Sequence, residues 1–375
     1  MTSVIPIPQT DPRAGYFECK DEVDAAIARV LGSGQYILGH EVEALEAAFA
    51  GWLGVGHAVG ASNGTDAIEL ALRACGIGAG DLVFAVSHTA VATVAAIERA
   101  GATPVLVDIE RGGFTMDPGA LEEALADPPA GRPAAILPVH LYGEPADLAP
   151  ITALASRHGL RVIEDCAQSH GALYHGRAAG SVGDIACFSF YPTKNLAALG
   201  DAGMTATGDA ALATAMREIR EYGWRDRYVS ARIGINTRLD PIQAAILGVR
   251  LPRLEHDNAR RQAIAAQYDA GLGGLQLKLP ARRVGCAHVF HQYVVRCAER
   301  DRLREHLRGS QIGSGIHYPA PVHLQPAYRY RLSEFPAGLP ETTHAAREIL
   351  SLPIYPQLAR DAVDRVVREI RRFFE

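Results

Sequence analysis

Paired cysteines, a basic excess and long apolar runs are all missing from this sequence. The six cysteines, Cys19, Cys75, Cys166, Cys187, Cys286 and Cys297, are scattered, and no C-x-x-C occurs. A zinc knuckle or dithiol redox motif is thereby excluded, and no metal site is expected. Isolated thiols of this kind fit a reducing compartment, so a cytoplasmic location is expected. The formal net charge is −5. Broad binding to nucleic acid or to an anionic membrane wants the opposite sign, so neither is expected as a partner. The first residues, "MTSVIPIPQTDPRAGY", have no basic n-region and no apolar h-region, which speaks against a secretory signal. The uncharged stretch "LVFAVSHTAVATVAAI" (82–97) is too short for a membrane span and carries Ser87, His88, Thr89 and Thr93. It reads as a buried strand feeding a helix. There is no internal repeat and no low-complexity segment.

What is present is an ordinary globular composition, 48% hydrophobic and 21% charged over 375 residues, enough for two domains sharing an interface. Residues 1–39 read as an N-terminal arm, irregular but for one helix at about 20–31. "HEVEALEAAFAGWL" (40–53) places Val42, Leu45, Phe49 and Trp52 at helical spacing. Strand and helix signals then alternate. "HAVGAS", "DLVFAV", "TPVLVDI", "AAILPVHLYG", "LRVIED", "ACFSFYP" and "GMTATGD" predict strands; "GTDAIELALRACG", "AVATVAAIERAG", "DPGALEEAL" and "DLAPITALASRHG" predict helices. Such alternation implies an α/β domain, here 40–245, with a mostly parallel sheet covered on both faces. A long helical stretch broken at Pro252 leads into residues 246–375. There "HVFHQYVVRC" and "GSGIHYP" predict strands, and "ERDRLREHLRGS" and "RDAVDRVVREIRRFF" helices, giving a smaller α+β unit.

Three places could carry chemistry. In "ASNGTDAIELAL" a strand gives way to a helix at Gly64–Thr65. Free N–H groups and the positive end of the helix dipole suit a phosphate, although an ordinary N-cap at Asn63 or Thr65 fits equally. In "VIEDCAQSHG" Asp165 ends an apolar strand, where open α/β sheets gather ligands. A cationic ring nitrogen would compensate its charge, with Gln168 able to bond the same ligand; a carboxylate capping the next turn is the plainer alternative. In "CFSFYPTKNLAALGDAG" (187–203) Lys194 follows a proline turn and precedes a run of small residues. A lysine becomes a nucleophile when its surroundings disfavour its charge, whereas most lysines in loops are merely solvated. Ser189, on the strand before it, could meet the phosphate at Gly64–Thr65. Taken together, the three places specify a phosphorylated heteroaromatic aldehyde, which is pyridoxal 5′-phosphate. The small residues 197–203 would let the backbone pass close to a bound cofactor or sugar.

With these residues in place, the sequence resembles the DegT/DnrJ/EryC1/StrS family of pyridoxal-phosphate-dependent sugar aminotransferases over nearly its whole length. The matching blocks are "YILGHEVEALEAAFAGWLGVGHAVGASNGTDAIELAL", "VHLYGEPADL", "VIEDCAQSHGA", "GDIACFSFYPTKNLAALGDAG", "IGINTRLDPIQAAIL" and "GIHYPAPVHLQPAY". The resemblance implies fold type I, the aspartate-aminotransferase-like α/β fold with a smaller C-terminal α+β domain, and a homodimer with shared active sites. It implies that Lys194 bonds the cofactor aldehyde, Asp165 pairs with the ring nitrogen, and Gln168 lies against the ring. It further implies that Gly64, Thr65 and Ser189 hold the phosphate and that Asn236 reaches the partner subunit's phosphate. Tyr191, His317 and Tyr318 resemble positions lining a nucleotide-sugar pocket. Two departures stand out. Ala90 fills a slot usually aromatic, leaving His88 or another residue to cover the ring, or that face more open; Asn63 stands where serine or alanine is common.

The implied reaction moves an amino group from L-glutamate to a keto group of a nucleotide-linked sugar. Tyr191, in place of the histidine frequent in the 4-keto branch, points to a 3-keto-6-deoxy sugar, usually dTDP-linked. A 4-keto sugar and a UDP-3-keto-uronate are the alternatives. Lys194 argues against the dehydratases, in which histidine replaces it. A non-catalytic regulator on the same fold would not need Lys194, Asp165, Gln168 and Ser189 together. An aminotransferase confined to amino acids would have no evident use for "GIHYPAPVHLQPAY".

Overall fold

The computed structural model describes residues 5–375. The arm holds two helices, α1 (Pro12–Glu18) and α2 (Lys20–Ser33), rather than the one expected. α1 escapes a periodicity reading because none of its residues is buried. It is set instead by Asp11, which accepts from the N–H groups of Arg13 and Ala14, and by Pro12 in the first turn. α3 (His40–Leu53) follows, with Val42, Leu45 and Phe49 buried as their spacing predicts.

Strands and helices then alternate: β1 (His57–Ala61), α4 (Gly64–Ala74), β2 (Asp81–Val86), α5 (Val91–Arg99), β3 (Thr103–Val107), α6 (Pro118–Ala126), β4 (Arg132–Ile136), α7 (Leu148–His158), β5 (Arg161–Asp165), β6 (Ile185–Ser189), β7 (Gly203–Thr207) and α8 (Ala210–Ile219). A late strand, β8 (Ser333–Phe335), joins them in one eight-stranded sheet of order β1-β7-β6-β5-β4-β2-β3-β8. All neighbours from β6 to β8 run parallel, while β7 is antiparallel to both β6 and β1. Every residue of β2 is buried, as befits a parallel strand with helices on both faces.

This topology positions the site. Parallel strands deliver their C-terminal ends to one edge, so Asp165 ends β5 beside Cys187, and β6 runs two residues further to Ser189. β7, being antiparallel, starts at that edge: Gly203 is paired with Ala61 on one side and Ser189 on the other.

Beyond the sheet, α9 (Pro241–Arg250) and α10 (Leu254–Leu272) are separated by a 3₁₀ turn at Leu251–Arg253, the break that Pro252 imposes. α11 (Arg300–Gly309), α12 (Pro340–Glu348) and α13 (Arg360–Phe374) pack with an antiparallel pair, Tyr293–Arg296 against Ile349–Leu352. One apolar core lies under α4–α7, a second joins α3 to the β1–β7–β6 end, and a third fills the C-terminal unit.

Some sequence expectations need correction. "GSGIHYP" is not a strand; it makes an isolated bridge between Gly315 and Ser351, and Gly313 N–H donates to Ile7 O. β4 stops at Ile136, because Pro138 lacks an N–H to continue the ladder, and the chain closes a 3₁₀ turn at Leu141–Gly143. α8, α12 and β8 are additions to the sequence reading.

Candidate active site

One cavity of about 610 Å³ opens at the sheet edge. It gathers Gly64, Thr65, Asp165, Gln168, Ser189, Tyr191, Lys194, His317 and Tyr318, residues up to 254 positions apart in the chain (Tyr318 less Gly64). Asn236 is the one expected site residue outside it. It stands exposed, bridged through its backbone to Glu221.

The Gly64–Thr65 end of the cavity is built by glycine. Asn63 caps α4, its side chain accepting from Asp66 N–H at 2.9 Å, and Ala67 N–H closes the first helical bond on Asn63 O. Among the described residues the N–H groups of Gly64 and Thr65 stay unclaimed, where the helix dipole adds its positive end. A Cβ at Gly64 would lie 2.6 Å from Ser189 Cβ, so only glycine lets the helix start and the end of β6 converge. A Cβ at Gly203 would lie 2.2 Å from Asn63 O, which makes Gly203 the residue that lets the 62–64 turn settle over β7. Within this stretch Gly203 therefore serves chain packing, meeting Asn63, and Leu199 exchanges bonds with Gln243 at 2.9 and 3.1 Å, while Asp201 lines the cavity.

Lys194 sits at the end of a tight turn, its N–H donating to Tyr191 O at 2.8 Å, with Pro192 pre-setting the turn. The next residue anchors the loop: Asn195 Nδ2 donates to Asn258 Oδ1 at 2.7 Å and to Val289 O at 3.0 Å. Burial pushes the Lys194 amine down to about 8, against the pull of the Asp165 carboxylate. Asp165 is itself buried, which raises its carboxyl above the usual range, while bonds from Ala167 N–H (3.1 Å) and Thr93 Oγ1 (2.8 Å) oppose the rise. The pair thus has an uncharged amine within easy reach and a carboxylate in want of a cation.

On the opposite wall, Gln168 Oε1 accepts from Tyr142 N–H at 2.7 Å and its Nε2 donates to Tyr318 Oη at 3.3 Å. Burial pushes the Tyr318 phenol up to about 12. His317 Nδ1 lies 2.8 Å from Ser351 Oγ, and its carbonyl accepts from the Tyr142 hydroxyl. His88 does not cover the cavity. It is buried behind it, stacked on Phe114 and bonded through Nε2 to Tyr142 Oη at 3.0 Å. Ala90 is on the wall, with Thr89, Ala92 and Thr93 beside it, so this stretch brings no aromatic side chain to the cavity.

His291 and Gln292 also line the cavity, unanticipated because they lie inside a segment read as a strand; the strand begins only at Tyr293. His291 Nδ1 is buried without a partner, and burial with the nearby Lys194 and Arg261 cations holds the ring neutral. Gln292 is fixed by Gln9 of the arm at 2.7 Å. Thr93, a polar residue in the apolar run of α5, is a signal that the sequence does contain.

Among the described residues one cluster has metal-ligand chemistry, His140, Glu164 and Cys166, all buried. The lone pairs of Glu164 and His140 are spent. Glu164 accepts from His140 Nε2 (2.8 Å) and from the N–H groups of Gly180, Val182 and Gly183, while His140 Nδ1 accepts from Ala146 N–H at 2.9 Å. It ties β5 to the following loops.

The donor set fits pyridoxal 5′-phosphate: free N–H groups and a serine at a cradle that a Cβ would fill, a buried carboxylate, and a lysine of lowered basicity. The comparisons with known proteins agree. Over 372 residues the chain is 47% identical to dTDP-3-amino-3,4,6-trideoxy-alpha-D-glucose transaminase of Streptomyces venezuelae, covering 98% of this chain and 96% of that one. It is 43% identical to UDP-N-acetyl-3-dehydro-alpha-D-glucosamine 3-aminotransferase of Acidithiobacillus ferrooxidans, covering 99% of each. The crystal structure of S. venezuelae DesV, in complex with a ketimine intermediate, superposes with a TM-score of 0.95 at 46% identity over 99% of both chains. The fold is that of the pyridoxal-phosphate-dependent aminotransferases, and pyridoxal 5′-phosphate is the cofactor. Residues 18–371 match the model of the DegT/DnrJ/EryC1/StrS aminotransferase family, and the chain belongs to that family.

Proposed function

We propose that this enzyme transfers an amino group from L-glutamate to the C3 keto group of a nucleotide-linked 6-deoxy-hexose, dTDP-linked by preference. The observation that carries the reading is the convergence of Lys194, Asp165, Ser189 and the Gly64–Thr65 helix start on one cavity. Relatives at 47% and 43% identity are named for chemistry at position 3 of a nucleotide sugar, and Tyr191 on the cavity wall is in keeping with that branch.

When bound, the cofactor supplies an electrophilic carbon and an electron sink. The chain's residues do the rest. Gly64 N–H, Thr65 and Ser189 Oγ hold the phosphate, and Asp165 holds a proton on the ring nitrogen. Gln168 steadies the opposite wall through Tyr142 and Tyr318. Lys194 Nζ would take the proton from the donor's α-carbon and give it up at the carbon on the other side of the transferred nitrogen; an amine that titrates near 8 is suited to both directions. Tyr191, His317 and Tyr318 face the sugar.

The same reading makes the enzyme a cytoplasmic homodimer. Tyr222, Tyr228, Val229 and Ile233 crowd exposed around the Trp224–Ser230 hairpin, and exposed apolar clusters mark interfaces. Asn236, outside its own cavity, is then free to reach the partner's phosphate. Within each subunit the chain divides into an arm (1–39), a large unit (40–245) and a small unit (246–375), with β8 crossing back to the large sheet. No helix among the described residues is long and apolar enough to cross a membrane.

The donor half is tested by mixing holoenzyme with L-glutamate alone. One 2-oxoglutarate per site should be released, with a matching change in the visible spectrum. A colourless protein that takes up no cofactor, or one that releases no oxo acid, would overturn the reading.

A further inference from the structure

We propose that Thr93 is a positioning residue for Asp165 and that Thr89 sets the direction in which the Thr93 hydroxyl points. The inference rests on the reading that Asp165 faces the cofactor's ring nitrogen. Thr93 Oγ1 lies 2.8 Å from Asp165 Oδ2 and 3.0 Å from Thr89 Oγ1. All three side chains are buried, at 1%, 4% and 2% exposure in the order Thr93, Asp165, Thr89, and all three line the cavity.

The hydrogen-bond direction follows from chemistry. An ionised carboxylate only accepts, so Thr93 gives its proton to Asp165. Its oxygen can then only accept from its neighbour, so Thr89 donates to Thr93. The geometry is local and rigid: Thr89 and Thr93 are four residues apart across the start of α5, and a β-branched side chain has few χ1 choices there. Asp165 Oδ1 is taken separately by Ala167 N–H at 3.1 Å. Each carboxylate oxygen therefore has one fixed donor and room for another, and the plane of the carboxylate is set before any ligand arrives. Buried hydrogen bonds to a charged acceptor are the strong kind, and losing one leaves Asp165 less able to hold a proton on its partner.

α5 has no side-chain cap of its own, and Ala90 occupies the N-cap position. The absence of bulk at Ala90 and Ala92 leaves the threonine hydroxyls at the cavity wall as its only polar groups on this helix start.

The test uses Thr93→Val, which keeps the branched shape and removes the donor, and Thr93→Ser, which keeps the donor. Two quantities are read: the equilibrium dissociation constant of pyridoxal phosphate, and the ¹⁵N chemical shift of ring-labelled cofactor in the holoenzyme. Thr93→Val should weaken cofactor binding about tenfold and move the ring nitrogen toward its unprotonated position, while Thr93→Ser stays near wild type in both. Wild-type values for Thr93→Val, or a Thr93→Ser variant that departs as far, would overturn the proposal and leave Thr93 a packing residue. Should Thr93→Val fail to fold, Thr89→Val is read in the same way: a smaller loss in the same direction supports the relay, and wild-type values overturn it. Asp165→Asn separates the two readings. If it leaves the ¹⁵N shift unchanged, the placement of Asp165 itself is wrong; if it moves the shift and the threonine variants do not, only the relay fails.

Discussion

In the proposed reaction Lys194 would have its reactivity from position rather than from any neighbouring base. The Tyr191–Lys194 turn throws its side chain into the cavity, and enclosure makes the charged form costly, so its amine titrates near 8 instead of in the ordinary lysine range. Only the uncharged amine can bond an aldehyde. The rate at which apoenzyme is reconstituted with pyridoxal phosphate should therefore climb about tenfold per pH unit below that point and level off above about 8. Stopped-flow absorbance measures this; a rise continuing to the ordinary lysine pKa would show the amine to be unperturbed. The residue types needed here were legible in the sequence. Asp165 at a strand end and Lys194 after a proline turn stand out as candidates, each beside a plainer reading. His291 and Gln292 were not, because their exposure to the cavity depends on where a distant strand begins.

At the scale of elements, the site is the place where β1, β5 and β6 end and β7 begins. The helices and central strands were readable because their apolar spacing and capping are local: Asp117 caps α6 where the sequence places it, and all of β2 is buried. β8 was not readable, since three residues acquire strand structure only by pairing with β3. Nor was the role of Gly203 at the start of β7, which its approach to Asn63 O assigns to chain packing. Gly203→Ala tests that assignment. A Cβ 2.2 Å from a backbone oxygen forces the 62–64 turn to shift, at a cost of about 1–3 kcal/mol. A lowered melting temperature together with weaker cofactor binding is expected in thermal melts and cofactor titrations. Full cofactor affinity in a stable Gly203→Ala protein would show that the turn does not depend on the glycine.

At the scale of the whole molecule, the exposed aromatic hairpin and the outlying Asn236 make sense together if each cavity is completed by a second copy. Mixing two inactive variants, Lys194→Ala and Asn236→Ala, decides the matter. In a hybrid dimer one site would receive both changes and the other neither, so activity should return on mixing and subunit exchange. Two self-contained sites would give no recovery. The sequence hinted at this only through family resemblance, because a contribution to another chain's site leaves no trace in the spacing of residues along its own.

The central claim concerns where the nitrogen lands, and one measurement reaches it directly. Holoenzyme is given L-[¹⁵N]glutamate and, in separate reactions, a dTDP-linked 3-keto-6-deoxy-hexose, its 4-keto isomer and a UDP-linked 3-keto-uronate, and the products are followed by mass spectrometry and ¹⁵N-edited NMR. The account requires ¹⁵N on C3 of the dTDP-linked sugar, in preference to the other two acceptors. Nitrogen on C4, or turnover confined to the uronate, would contradict it.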